Sequence, residues 1–222
     1  MLALVFAFAQ VGAAAAATPP VPATPPPPTE NARDAIDATY GRIDGDMSVV
    51  GGLGATVGPG GARATVDLRF RYLDTVGIFA TYEDAPIFAS AAEPKRVMAF
   101  GLELRPFFLA RWLKGKELGS PRVDLAIDSF GLELGTYFAQ PTGGSFADKP
   151  GMQAGLGLEL PVLGHASGPW IGLHGGMRWS DAAITEGTVT GPIDRAAYLS
   201  VTLAWHQFFG AHAVDFGDRG PK

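Results

Sequence analysis

Residues 63–72 read RATVDLRFRY, and polar and apolar residues alternate along them without a break. Arg63, Thr65, Asp67, Arg69 and Arg71 fall on one side, with Ala64, Val66, Leu68, Phe70 and Tyr72 on the other. A period of two gives a strand two distinct faces, whereas on a helix it would be smeared around the axis. The same alternation, diluted by glycine, recurs at 46–57, 76–83, 96–107, 129–139, 151–162, 169–180 and 196–209. The pattern predicts eight strands, most of them near the length needed to cross a bilayer at a tilt. An even number with both ends on one side fits an all-β fold, a closed antiparallel up-and-down barrel.

Alternation alone does not say which face points inward. The apolar face is continuous, as in Met98-Phe100-Leu102-Leu104 and Met152-Ala154-Leu156-Leu158-Leu160. The polar face mixes charges with Gly101, Gly131, Gly135, Gly155, Gly157, Gly172 and Gly176, which suits a crowded lumen. Tyr72, Phe107, Phe138, Trp179, Trp205 and Phe209 sit near strand ends, where interfacial girdles form; Trp112 joins them beside the basic run 111–117. The apolar face is therefore expected to point outward, into lipid. A secreted, lipocalin-like soluble barrel with an apolar ligand inside is the alternative, and it needs the faces reversed.

Composition narrows the partners. Only 18% of residues are charged and the net charge is −5, so nucleic acid is an unsuitable partner. No cysteine is present, which removes disulfides and thiolate chemistry. Residues 1–17 (MLALVFAFAQVGAAAAA) read as an export signal, with Ala15-Ala16-Ala17 supplying the small-residue cleavage pattern. A proline-rich periplasmic linker with a short helix over 31–40 is expected across 18–44, the barrel over 45–209, and an unstructured tail over 210–222.

With these features on the page, the chain resembles the small eight-stranded outer-membrane barrels of Gram-negative bacteria. The resemblance covers residues 45–209 and rests on pattern, not on a signature motif. It implies residence in the outer membrane as a monomer surrounded by lipid. The tight hairpin tip at 58–61, the long link at 108–128 and the chain beyond Phe209 depart from the usual form of that family.

The tetrapeptide Gly-Leu-Glu-Leu occurs three times, at 101–104, 131–134 and 157–160. These fall on consecutive strands of alternating direction, so Glu103, Glu133 and Glu159 are expected at one height in the inner half of the lumen. Close carboxylates repel and require cations nearby. Arg69, Arg71 and Arg105 lie at matching heights, and His206 reaches the same level. The expectation is a Glu–Arg network that fastens opposite walls, since an Arg fork can bind a carboxylate bidentately. A narrow pore or small-solute transporter built from the same charges is the alternative.

Little else carries chemistry. Residues 51–61 (GGLGATVGPGG) lack the spacing of nucleotide-binding loops, and the histidines show no metal-ligand spacing, so no cofactor or metal is expected. Ser180 lies six residues from His174 on the same strand, too far for a nucleophile–base pair, and no enzyme activity is expected. Trp112, Lys114 and Lys116 are expected at a membrane surface near acidic headgroups, with a short amphipathic helix over 121–129. Loops at 84–95, 140–150 and 181–195 are where a ligand or partner would be met.

Overall fold

The structure, a computed structural model, describes residues 39–85, 93–187 and 194–211. The export signal, the proline-rich run, nearly all of the helix expected over 31–40, parts of two loops and most of the tail lie outside these residues. Within them the strands are β1 (Met47–Gly58), β2 (Gly61–Tyr72), β3 (Val76–Asp84), β4 (Arg96–Leu104), β5 (Gly131–Gln140), β6 (Gly151–Pro161), β7 (Gly168–Trp179) and β8 (Arg195–Phe209). Each pairs with its neighbours in sequence, and β8 closes the barrel on β1. All eight pairings are antiparallel.

The register fixes the shape. From Met47, partners run through Tyr72, Val76, Leu104, Leu132, Leu156, Gly175 and Leu199, and return to β1 at Val57, ten residues along from Met47. For eight strands that stagger corresponds to a tilt of about 40° and an interior just wide enough for side chains.

The two faces of the wall are opposite in kind. Outward residues are large and apolar: Leu53, Leu102 and Leu203 are 68%, 63% and 64% exposed. Inward residues are charged and closed off from solvent, including Arg63, Asp67, Arg69, Arg71, Glu103, Glu133 and Glu159. The soluble-barrel alternative is thereby corrected, because it requires the apolar set inside and the charges in water. Outward aromatics form two bands. Tyr72, Trp205 and Phe209 lie toward the end where the barrel's termini meet, with Phe70 packed on Phe209 at 6.5 Å. Phe138 and Trp179 lie toward the opposite, loop end, where Phe138 stacks on Phe100 at 5.9 Å.

β5 opens at Gly131, not at 129, because Ser129 ends the preceding helix, and β4 is the strand cut back furthest from its pattern. β4 stops at Leu104, not at 107, because Pro106 has no N–H for the ladder and takes helical angles (φ −78°, ψ −18°). Phe107 instead opens α1 (Phe107–Trp112), followed by α2 (Pro121–Asp128). Pro121 sits in the first turn of α2, where its missing N–H costs nothing. A third helix, α3 (Asp181–Thr185), lies at the loop end, and the Ala183 N–H donates to its capping Ser180 hydroxyl at 3.2 Å. At the terminal end, Tyr40, Leu125, Ala166, Trp170 and Phe208 form a small apolar cluster. Residues 39–44, assigned to the linker by sequence, thus pack under the barrel mouth with α2.

Candidate functional site

The candidate site is the lumen, and alternation in the strands builds it. In β2, Arg63, Thr65, Asp67, Arg69 and Arg71 all point inward, one above another along the barrel axis. Glu103 of β4 is paired with Glu133 of β5, while Glu159 of β6 lies next along the wall. The three carboxylates converge, and the arginines of β2 reach across to them.

The links are direct. Arg69 Nη1 donates to Glu133 Oε1 at 2.6 Å and lies 3.3 Å from Glu103 Oε1, while its Nε binds Asp67 at 2.8 Å. Arg71 Nε donates to Glu103 Oε2 at 2.8 Å, and its Nη2 to Glu159 Oε1 at 2.8 Å. Since β2 and β6 lie on opposite sides of an eight-stranded barrel, the Arg71–Glu159 bond spans the lumen. Arg105, just past β4, donates to Glu103 at 3.0 Å, to Asp74 at 3.3 Å and through Nη2 to Glu159. His206 Nε2 is 3.3 Å from Glu159 Oε2, and the ring stacks on Trp170 at 4.5 Å. Glu103, Glu133, Glu159, Arg69, Arg71, Arg105 and His206 therefore meet in a single cluster.

Glycine creates the space. A Cβ on Gly157 would lie 2.7 Å from His174 Nδ1, the atom that contacts Glu133 Oε1 at 2.8 Å. His174 thus faces a carboxylate, not Ser200 beside it on β8.

A second layer lies toward the loop end. Glu83 accepts from Arg63 Nε at 2.9 Å and from Arg178 Nη2 at 2.5 Å, and Arg178 Nε donates to Gln153 at 2.8 Å. The Arg178 guanidinium also lies 4.3 Å over the Tyr198 ring. Between the layers, Thr56 and Thr65 share a hydrogen bond of 2.7 Å beside a cavity of about 10 Å³. That volume is near the minimum for one water molecule.

A third layer closes the terminal end. Arg42 donates to Asp128 at 2.7 Å, approaches Asp74 at 3.6 Å and lies 4.5 Å over the Phe108 ring. Arg111 binds Asp128 at 2.6 Å and Asp124 at 2.5 Å. The Tyr40 hydroxyl donates to Asp124 at 3.0 Å. Burial, reinforced by the Asp124 carboxylate, pushes the Tyr40 phenol up to about 12. Burial would by itself raise Asp124, but the Leu118 N–H and the Arg111 guanidinium outweigh it and hold the carboxyl below its ordinary range.

Sequence reasoning did not single out Glu83, Arg178, Asp74 or the Arg42–Asp128 pair. Glu83 and Arg178 carried a usable signal, since they lie in alternation with Thr81 and with His174 and Gly176. The third layer carried none, because its partners come from irregular chain and short helices. The interfacial aromatics of the strands point outward, as does Phe107, which stacks on Phe130 at 5.5 Å. Trp112 is 36% exposed and rests on Phe108 at 6.3 Å. Among the described residues, no group of His, Asp or Glu is arranged to hold a metal ion.

No protein-family model matches the chain, and no curated protein is similar to it. Among solved structures, the chain is similar to Ail, the attachment invasion locus protein of Yersinia pestis, in complex with the heparin analogue sucrose octasulfate. Identity is 9% and the TM-score 0.32, over 72% of this chain and 97% of Ail. It is also similar to Neisserial surface protein A, at 12% identity and a TM-score of 0.34, over 72% of this chain and 94% of the other. The fold assignment rests on the closed strand pairing of this chain and needs neither likeness.

Proposed function

We propose that this protein is a monomeric barrel of the bacterial outer membrane, its lumen plugged by the Glu–Arg network and its outer loops free to meet partners. It acts as a structural or loop-mediated interaction protein, without catalysis. Lipid is the solvent its exterior fits: the strands turn mostly leucine, valine, isoleucine, methionine and aromatic residues outward, and closure leaves no unpaired edge. With the termini in the periplasm, α1 and α2 lie on the inner side, and Trp112, Lys114 and Lys116 face the surface where acidic headgroups lie.

The observation that carries the plug is the pairing of charge across the lumen, Arg71 to Glu159 and Arg69 to Glu133, with room for about one water between the layers. A conduit needs a continuous wet path, and the ion pairs occupy it.

The test has two parts. Outer-membrane fractions should contain a band whose gel mobility shifts on heating, and the purified barrel should show no discrete conductance in planar bilayers. A soluble, non-shifting protein defeats the membrane reading. Conductance that changes on converting Glu103, Glu133 and Glu159 to Gln would replace the plug with a narrow pore.

A further inference from the structure

The loop-end layer of the lumen holds two guanidiniums and one carboxylate. Glu83 is shared: its Oε2 accepts from Arg63 Nε at 2.9 Å and from Arg178 Nη1 at 3.2 Å, and its Oε1 accepts from Arg178 Nη2 at 2.5 Å. Arg178 is satisfied at all three nitrogens, its Nε by Gln153. Arg63 is not. It is 2% exposed, it makes one ion pair, through Nε, and its Nη1 has no acceptor.

Nearby carboxylates are engaged elsewhere. Asp84 binds Arg96 at 3.1 Å, Glu93 accepts from the Thr142 N–H at 3.0 Å, and Asp194 accepts from the Ser180 hydroxyl at 2.7 Å. Asp67, lower in the lumen, binds Arg69 at 2.8 Å. Two guanidiniums therefore share one carboxylate in this layer, a buried surplus of positive charge that an anion would offset.

A space exists for that anion. Arg63 and Arg178 line a cavity of about 20 Å³ beneath the β1–β2 hairpin, walled also by Pro59, Glu93, Pro94, Val97, Tyr137 and Tyr198, and the Glu93 carboxylate accepts from the Thr142 N–H. It holds one small particle, comparable to a water molecule. The rest of the wall is mostly apolar (Pro59, Pro94, Val97, Ala196 and Ala197), which favours an anion that gives up its hydration cheaply. We propose that this chamber binds a single small monovalent anion of halide size, held by Arg63 and by the surplus charge of the Arg63–Glu83–Arg178 group. The site is independent of whether the inner network conducts.

Chloride-35 magnetic resonance on the purified, detergent-solubilised full chain tests this. Saturable line broadening is expected, reversed by bromide and nitrate but not by fluoride. Arg63→Gln should weaken chloride at least tenfold while the heat-shifted band persists, and Arg96→Gln, at an exposed ion pair, should leave it unchanged. Should Arg63→Gln fail to fold, Ala196→Leu fills the chamber without removing a charge and must also abolish the broadening. Absence of saturable broadening in the parent overturns the proposal. So does broadening that survives in folded Arg63→Gln or, where that variant does not fold, in folded Ala196→Leu.

Discussion

Replacing Glu159 by Gln keeps the volume of the side chain and removes one charge from the centre of the network. Glu159 is 1% exposed and takes bonds from Arg71 and Arg105, with His206 at 3.3 Å. Removing one partner of a buried ion pair costs roughly 3–5 kcal/mol, because the cation is left uncompensated. Here both arginines keep other acceptors: Arg71 retains Glu103, while Arg105 retains Glu103 and Asp74. The expected loss is therefore at the lower end, about 3 kcal/mol. Equilibrium unfolding by urea in lipid vesicles, followed by tryptophan fluorescence, reads it as a lowered midpoint with unchanged slope. Arg105→Met in the same background supplies the cycle: the double variant should lose less than the two single variants summed, by about 0.5–3 kcal/mol. A loss under about 1 kcal/mol for Glu159→Gln, or strict additivity, would refute the claim that this network fastens the walls.

Further outcomes follow from the same geometry. Leu134→Arg, on the outward face at mid-height of β5, should cost about 2–4 kcal/mol in a bilayer and close to nothing if that face met water; urea unfolding in vesicles separates the two. Arg42→Ala removes the contacts to Asp128, Asp74 and Phe108, so residues 39–46 should become accessible to protease while the heat-shifted band persists. Tyr40 has its folded value raised above 10, so its contribution to stability is complete below pH 10 and is lost as pH rises toward about 12. Tyr40→Phe should flatten stability over that window, and an unaltered profile would show that the phenol is not held by Asp124.

How much of this was legible depended on whether a residue lay in a period-two run. Arg63–Tyr72 announced its strand and its two faces, the glycines and end aromatics of the other strands said which face turned inward, and the repeated Gly-Leu-Glu-Leu put three carboxylates at one height by strand direction alone. Glu83 and Arg178 obeyed the same rule, but each was the single acidic or basic (Asp, Glu, Lys, Arg) residue on the inward face of its strand, so alternation placed them without drawing notice to them. Pro106 cut β4 short for a reason that hydrophobic pattern does not express, the lack of a ladder donor. Arg42 lay beyond reach. Its partners, Asp74 and Asp128, sit in a turn and at the end of a short helix, and only tertiary packing brings them together.

The inversion of the ordinary arrangement explains why so many charges are tolerated inside. A soluble barrel of this width would fill its interior with leucine and valine and leave arginine in water. When hydrocarbon lies outside, the apolar residues gain nothing from turning inward, and the lumen becomes the one place where polar groups can satisfy each other. Each guanidinium then needs acceptors from opposite walls, which ties the register of β2 to those of β4, β5 and β6 through Arg69 and Arg71. A slip of one residue would turn every charge on β2 into the lipid and break all of these bonds together. The network therefore specifies one pairing as much as it stabilises it, and the loss from Glu159→Gln should be accompanied by more misfolded, non-shifting protein during refolding.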